Sequence, residues 1–167
     1  MSIVSTQQMA RQAPGVRAKP TAVDLPDAEV AKSRYALIPP GCYELCFTHH
    51  ETAIMFGMSH KLILWFNVIN CGEYFEVQVA RFYNVEHVIG KPGRNGRFKA
   101  KASGDFLLDY YTMFNPGKRL DRISLDPFRN NIILGNVATV TVTSTQRGLP
   151  EEMQYSVIRS FAGVMKP

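Results

Sequence analysis

The sequence of 167 residues has no apolar run of about 18 residues, the length that a membrane-spanning helix needs. Its first residues also lack the apolar core of a secretory signal peptide. The sequence has only three cysteines, an odd number: Cys42, Cys46 and Cys71. This count argues against a secreted disulfide framework. The sequence therefore predicts a soluble, cytoplasmic protein that does not contact a membrane.

Motifs for catalysis and cofactor binding are missing as well. Residues 90–101 are rich in glycine but match neither GxxxxGK[ST] nor GxGxxG, and no Ser-His-Asp set or carboxylate pair can be singled out. Cys42, Cys46 and His50 would share one face of a regular strand, and Cys71 would complete four zinc ligands. Residues four apart on a strand are about 13 Å apart, however, and this spacing is not a known zinc pattern. The sequence predicts no enzyme, no cofactor and no metal.

Positive charge is concentrated in residues 90–101, GKPGRNGRFKAK, which we call the basic segment. It has three glycines, one aromatic residue and no acid, and its five cations equal the whole formal net charge of +5. These cations are Lys91, Arg94, Arg97, Lys99 and Lys101. A local positive charge of this size favours a polyanionic partner. The alternative is an ordinary solvated surface loop.

The chain divides into an arm and a folded domain. Residues 1–34 contain three prolines and scattered charges without a period of 2 or 3.6, which indicates a flexible arm. Residues 35–167 form the predicted domain, and the 46% hydrophobic content of the chain suffices for one core.

Alternating apolar residues predict five strands and one helix in this domain. Residues 42–48 form the first strand, which continues with a bend to residue 56. Two long strands over 61–70 and 74–84, joined by about three residues, form a hairpin. A helix follows over 103–114, with Ser103 as its N-cap and a stop at 115–117. The last strands cover 133–145 and 153–164.

This order, with Gly41 and Tyr43 opening the first strand and Leu134-Gly135 near the fourth, resembles the OB-fold. The resemblance implies a mainly β, five-stranded Greek-key barrel with one short helix between strands 3 and 4. In particular, the chain is similar to the single-stranded nucleic-acid-binding proteins of bacteriophages and mobile elements. Bacterial replication proteins of this kind usually end in a glycine-rich tail with an acidic tip. Here the last four residues are VMKP, so that recruitment function is not carried over.

The resemblance implies a groove across strands 2 and 3 that combines cations for phosphates with aromatic rings for bases. Each stacked base contributes about 1–3 kcal/mol. Trp65 is the first stacking candidate, since it faces away from the apolar set around Leu64, although burial in a core is its alternative. Tyr83 lies on strand 3, and Phe98 has no apolar sequence neighbours that demand its burial. The expected phosphate contacts are Arg81, Lys91, Arg94, Arg97, Lys99, Lys101, Arg119 and Arg122. For Arg119 and Arg122 the alternative is local salt bridging with Asp121.

Two functions are consistent with these patterns. The first is a non-catalytic protein that binds single-stranded DNA or RNA, in the replication or recombination of a mobile element. The alternative is an inhibitor or adaptor that binds another protein through the same aromatic side chains. An edge strand of a partly open barrel would in addition offer a contact for a homo-oligomer.

Overall fold

The structure is a computed structural model that describes residues 36–115, 117, 123–140 and 154–165. It is mainly β, as predicted. In chain order its elements are β1 (Gly41–Met55), β2 (Ser59–Val68), β3 (Gln78–Asn84), β4 (His87–Ile89), β5 (Gly93–Arg94), β6 (Arg97–Lys99), α1 (Asp105–Phe114), α2 (Asp126–Arg129), β7 (Ile132–Thr139) and β8 (Ser156–Met165). The predicted arm over residues 1–34 lies outside the described ranges. Within these ranges, no helix combines the length and the apolar character needed to cross a membrane.

The five long strands form a closed ring. Strand β1 pairs with β2 and β7, β2 pairs with β3, and β7 pairs with β8, all antiparallel. The ring closes between β3 and β8, which run parallel and share the single pair Ala80↔Val157. We call this junction the seam. In the chain, α1 lies between β3 and β7, so the predicted order of long strands and helix is confirmed.

A β-bulge gives β1 the bend that the sequence predicted. The pairing of β1 with β2 shifts register between Phe47 and His49. The extra residue changes which side chains point inward, because neighbours on a strand face opposite sides. Leu45 and Phe47 are buried before the bulge, and His50 and Thr52 are buried after it.

The core lies inside the ring, with Phe128 of α2 at its centre. The Phe128 ring is fully buried, and its centroid lies 4.9 Å from that of Phe114 and 6.2 Å from those of Phe47 and Phe66. The sequence interpretation treated this region as a polar crossing and missed α2. The missed signal was Leu125 and Phe128, three residues apart, because residues at that spacing share one face of a helical turn.

Two predicted boundaries were wrong. Strand β3 begins at Gln78 rather than at residue 74, so residues 69–77 make a longer connection between the hairpin strands. Glu76 has a φ of 64° there, a left-handed conformation that a non-glycine residue does not adopt within a regular strand, although the alternation of residues 74–79 imitates one. The N-cap of α1 is Gly104 rather than Ser103. The helix ends as predicted, at Asn115 in the left-handed conformation. The predicted strand segments 141–145 and 153 lie outside the described ranges.

Candidate functional site

The basic segment is folded onto the ring instead of forming a loose loop. Strand β6 pairs with β4, placing Phe98 opposite Val88 and Lys99 opposite His87. Strand β5 pairs with β1 through Gly93↔Thr52. Part of the segment is thus ordered by pairing with β4 and with the long first strand, while its cations stay exposed to solvent.

The turn between β5 and β6 is held by hydrogen bonds to β1. We call this set of hydrogen bonds the clamp. The Asn95 N–H donates to the carbonyl oxygen of His50 (2.9 Å), and the Gly93 N–H donates to Thr52 Oγ1 (3.2 Å). Nε2 of His50 lies 3.0 Å from the carbonyl oxygen of Gly96. Gly96 is confined because a Cβ there would overlap Thr52 Oγ1 and lie 3.0 Å from the carbonyl oxygen of Gly93. The clamp therefore requires glycine at position 96.

His50 is a buried histidine within the clamp, and its surroundings disfavour the charged imidazolium. Burial lowers the pKa of its imidazole below the usual 6.5; the hydrogen bond to Gly96 opposes this effect, and Arg129 adds to it. A carbonyl oxygen only accepts, so Nε2 carries the proton and donates to Gly96. In the part of the chain that the structure describes, Nδ1 is buried without a hydrogen-bond partner. A second proton on Nδ1 would therefore be poorly stabilised.

An open groove of about 1540 Å³ lies between the basic segment and α1. The basic segment and β4 contribute Ile89, Arg97, Phe98 and Lys99 to its lining. Helix α1 contributes Leu107, Leu108 and Tyr111, and the α2 region contributes Leu125 and Arg129. Cations, aromatic rings and aliphatic side chains thus line one concave surface, which also includes His50 of the clamp.

Phe98 connects the groove to the core. Its ring makes edge contacts with His50 at 6.0 Å and with Phe106 at 5.6 Å, measured between centroids. The expectation that no apolar neighbour demands its burial was wrong, because strand pairing brings Phe106 to it from a distant part of the sequence. The half-buried ring nevertheless lines the groove.

The predicted cations of the basic segment are all exposed, but they are not equivalent. Arg97 and Lys99 line the groove, whereas Lys91, Arg94 and Lys101 lie outside its lining. Lys99 Nζ is 2.6 Å from Glu86 Oε1, so part of its charge is already balanced. Arg129, which the sequence interpretation did not select, also lines the groove and pairs with Asp126 at 2.9 Å. Arg119 and Arg122 lie outside the described ranges.

Trp65 is buried, which is the alternative that the sequence analysis gave to base stacking. Only 1% of the residue is exposed, and it packs with Ile63 and Ala80 in a small cluster beside Phe82. Its ring stacks on His49 with 6.0 Å between centroids. A ring in this position is inaccessible to a base, so the stacking prediction for Trp65 is corrected.

Arg81 and Tyr83 make contacts within the fold: Arg81 crosses the seam to β8, and both side chains contact Asp109 of α1. The buried Tyr83 hydroxyl donates to Asp109 Oδ2 (2.8 Å), and an Arg81 nitrogen lies 3.0 Å from the same oxygen. Arg81 also donates to the carbonyl oxygens of Ile158 (3.2 Å) and Arg159, on β8. Burial, followed by the Asp109 carboxylate, raises the pKa of Tyr83 far above its usual range. Arg81 therefore joins β3 to both α1 and β8, and Tyr83 joins β3 to α1.

The structure does not bring together the three cysteines and His50 that were considered as zinc ligands. In the described segments, no three His, Cys, Asp or Glu side chains come together as a metal ion would require. Cys42 and Cys71 are exposed, Cys46 is half-buried, and all three thiols are free.

The turn between β1 and β2 presents an apolar tip that the sequence interpretation missed. Phe56 is 96% exposed and Met58 is also exposed. Phe56 has a φ of 53° and Gly57 a φ of 70°, which is typical of a tight hairpin turn. The sequence signal for this turn was the single Gly57 between two runs in which apolar and polar residues alternate.

Comparisons of the chain with protein-family models, with curated proteins and with solved structures found no match in any of the three.

Proposed function

We propose that this chain is a non-catalytic single-stranded nucleic-acid-binding protein with an OB-fold barrel, and that the strand lies in the groove beside the basic segment. The ring order β1-β2-β3-β8-β7, with a helix between the third and fourth long strands, supports that fold. DNA is the first ligand to test. The proposed site is displaced from the strand 2 and strand 3 face, where Trp65 is buried.

The observation that carries the proposal is the composition of the groove. Arg97, Lys99 and Arg129 supply cations, while Phe98 and Tyr111 supply aromatic rings. Phosphates and unstacked bases alternate along a single strand, and non-specific binders contact them with these two kinds of side chain. In a duplex the base faces are stacked on one another, so the aromatic rings favour a single strand.

The clamp contributes by ordering the groove before a ligand arrives. Hydrogen bonds from β1 hold residues 93–96 next to Arg97 and Phe98. Binding then loses less conformational entropy than it would if a free loop had to become ordered. The basic segment thus acts as a fixed wall of the groove.

The test is a titration of fluorescently labelled oligo-dT, followed by anisotropy at several salt concentrations. Each phosphate neutralised on a single strand contributes about −0.7 to the slope of log K against log salt, so the slope should lie between about −0.7, for Arg97 alone, and about −2, for all three groove cations once Lys99 and Arg129 leave their carboxylate partners. A labelled oligo-U titration tests RNA, and an unlabelled duplex serves as competitor. A slope near zero, or no binding at low salt, would contradict the proposal.

Arg97→Ala is the decisive variant. It should weaken oligo-dT binding several-fold and reduce the magnitude of the salt slope by about 0.7. Arg159→Ala is the matched control, because Arg159 is exposed on β8 and does not line the groove. Equal effects of the two variants would show that the groove has no special role.

The aliphatic residues of the groove favour a protein partner as the second candidate function. Leu108 is 66% exposed and Ile89 is also exposed in the groove lining. Leu108→Lys separates the two functions: added charge should strengthen binding to a single strand but weaken docking of an apolar peptide segment. Unchanged or weaker oligo-dT binding by this variant would favour the protein partner.

A further inference from the structure

Two exposed cysteines border one small cleft at the end of the ring where β1 begins. The cleft has a volume of about 210 Å³, and both Cys42 of β1 and Cys71 of the connection after β2 line it. It is separate from the groove, and the proposed function makes no use of it. Neither thiol is buried in the core, so both are accessible to reagents in solution.

The strand register brings together the two segments that carry these cysteines. Strands β1 and β2 pair through Leu45↔Val68, and the Ile69 N–H continues the ladder by donating to the Glu44 carbonyl oxygen (2.9 Å). The Glu44 N–H then donates to the side chain of Asn70 (2.6 Å), which keeps the two segments together beyond the last strand pair. If the register of the last strand pair is extended beyond Val68, position 71 falls opposite position 42, and the cleft that both cysteines line keeps their segments adjacent.

Cysteines held at this extended register would suit a disulfide. Opposed residues of antiparallel strands have Cα atoms about 4.5–5.5 Å apart, within the range of about 4.4–6.8 Å that disulfides adopt. Cys42 also lies on the outer side of the ring, because Leu45, three residues along, faces the core and strand neighbours alternate. Two accessible thiols that line the same cleft form a candidate dithiol pair.

We propose that Cys42 and Cys71 are a thiol–disulfide switch that responds to low-molecular-weight disulfides such as oxidised glutathione. One cysteine thiolate attacks a sulfur of the reagent, which forms a mixed disulfide and releases one reagent thiolate. The second cysteine thiolate attacks the protein sulfur of this mixed disulfide and releases the other reagent thiolate. The two protein thiols lose two protons and two electrons, and the reagent disulfide is reduced to two thiols.

The bond would fasten residues 69–77 to the first strand. It closes a loop of about 30 residues, so the unfolded chain loses conformational freedom and the folded state is favoured. The oxidised protein should melt roughly 6–12 °C above the reduced protein. Dithiothreitol should reverse the shift.

The test is incubation of the full chain with oxidised glutathione, then alkylation of the remaining thiols and peptide mapping by mass spectrometry. The expected product is a Cys42–Cys71 disulfide with Cys46 still alkylated, because Cys46 lies opposite Asn67 in the register. In Cys42→Ser, which lacks the second thiol of the cleft, Cys71 should instead accumulate a stable glutathione adduct. Any of three results would overturn the proposal. They are stable adducts on both Cys42 and Cys71 of the unaltered protein, complete alkylation of both cysteines, and a disulfide that includes Cys46.

Discussion

Gly96→Ala should release the basic segment from the ring while leaving the ring folded. The added Cβ would overlap Thr52 Oγ1 and crowd the carbonyl oxygen of Gly93. Thr52 is buried and β-branched, so rotation of its side chain offers little relief. The backbone around residue 96 must therefore move away from β1.

The cost follows from the hydrogen bonds that this movement breaks. Three of the hydrogen bonds that join the turn to β1 would be lost: Asn95 to His50, Gly93 to Thr52, and His50 to Gly96. At a net contribution of about 1 kcal/mol each, their loss should lower the free energy of unfolding by about 3 kcal/mol. This is a large part of the roughly 5–15 kcal/mol that stabilises a typical domain.

Urea unfolding and native-state hydrogen exchange at the Asn95 amide would measure the effect. Gly41→Ala is the matched control, because a Cβ at Gly41 meets only the Tyr43 ring, at 3.5 Å. Adding Thr52→Ala to Gly96→Ala removes the hydroxyl that causes the overlap, so part of the lost stability should return. The reasoning is refuted if Gly96→Ala unfolds within about 0.5 kcal/mol of the unaltered protein and keeps its Asn95 amide protected.

Three further predictions concern the core, the seam and pH. Phe128→Ala should reduce stability by about 3–5 kcal/mol, measured by urea unfolding, because it leaves a cavity among the core rings; a loss below 1 kcal/mol would contradict the central place of Phe128. Arg81→Met should cost about 2–4 kcal/mol, since it leaves the Asp109 carboxylate without its cation, and should speed hydrogen exchange in β8, because it removes the donor to the Ile158 and Arg159 carbonyl oxygens; unchanged β8 exchange would refute this role. Stability should fall as the pH drops below about 6.5, because the unfolded chain then takes up a proton on His50 that the folded protein binds less readily. His50→Gln keeps a donor for the carbonyl oxygen of Gly96, so the difference between its pH profile and that of the unaltered protein isolates this effect; identical profiles would argue against it.

The long strands and α1 were predictable from the sequence because their signals are local. Alternation in β1 and β2 separates the core side chains from the outer ones, and Asn115 ends α1 as its sequence suggests. Alternation was misleading in residues 74–77, where positive φ at Glu76 interrupts the strand that the pattern imitates. The short helix α2 was missed because four residues carry too little periodicity.

The candidate site was predictable in its charge but not in its contacts. The exposure of Arg97 and Lys99 follows from composition. The burial of Trp65, the seam contacts of Arg81 and the groove position of Arg129 depend on which strands and helices become neighbours. Such contacts join residues that are far apart in sequence, as in the hydrogen bond between Arg81 and Ile158. The prediction of a homo-oligomer stays open to measurement by light scattering.

The seam has a consequence for how the protein is made. The ring cannot close until β8 pairs with both β7 and β3, and β8 is the last element along the chain that the structure describes. During synthesis, β1, β2 and β3 leave the ribosome well before residues 156–165 and must wait with an unfinished core. Such a nascent chain exposes strand edges and apolar faces for several seconds at roughly 5–20 residues per second. Chaperones that bind exposed apolar segments should therefore associate with it until the seam forms.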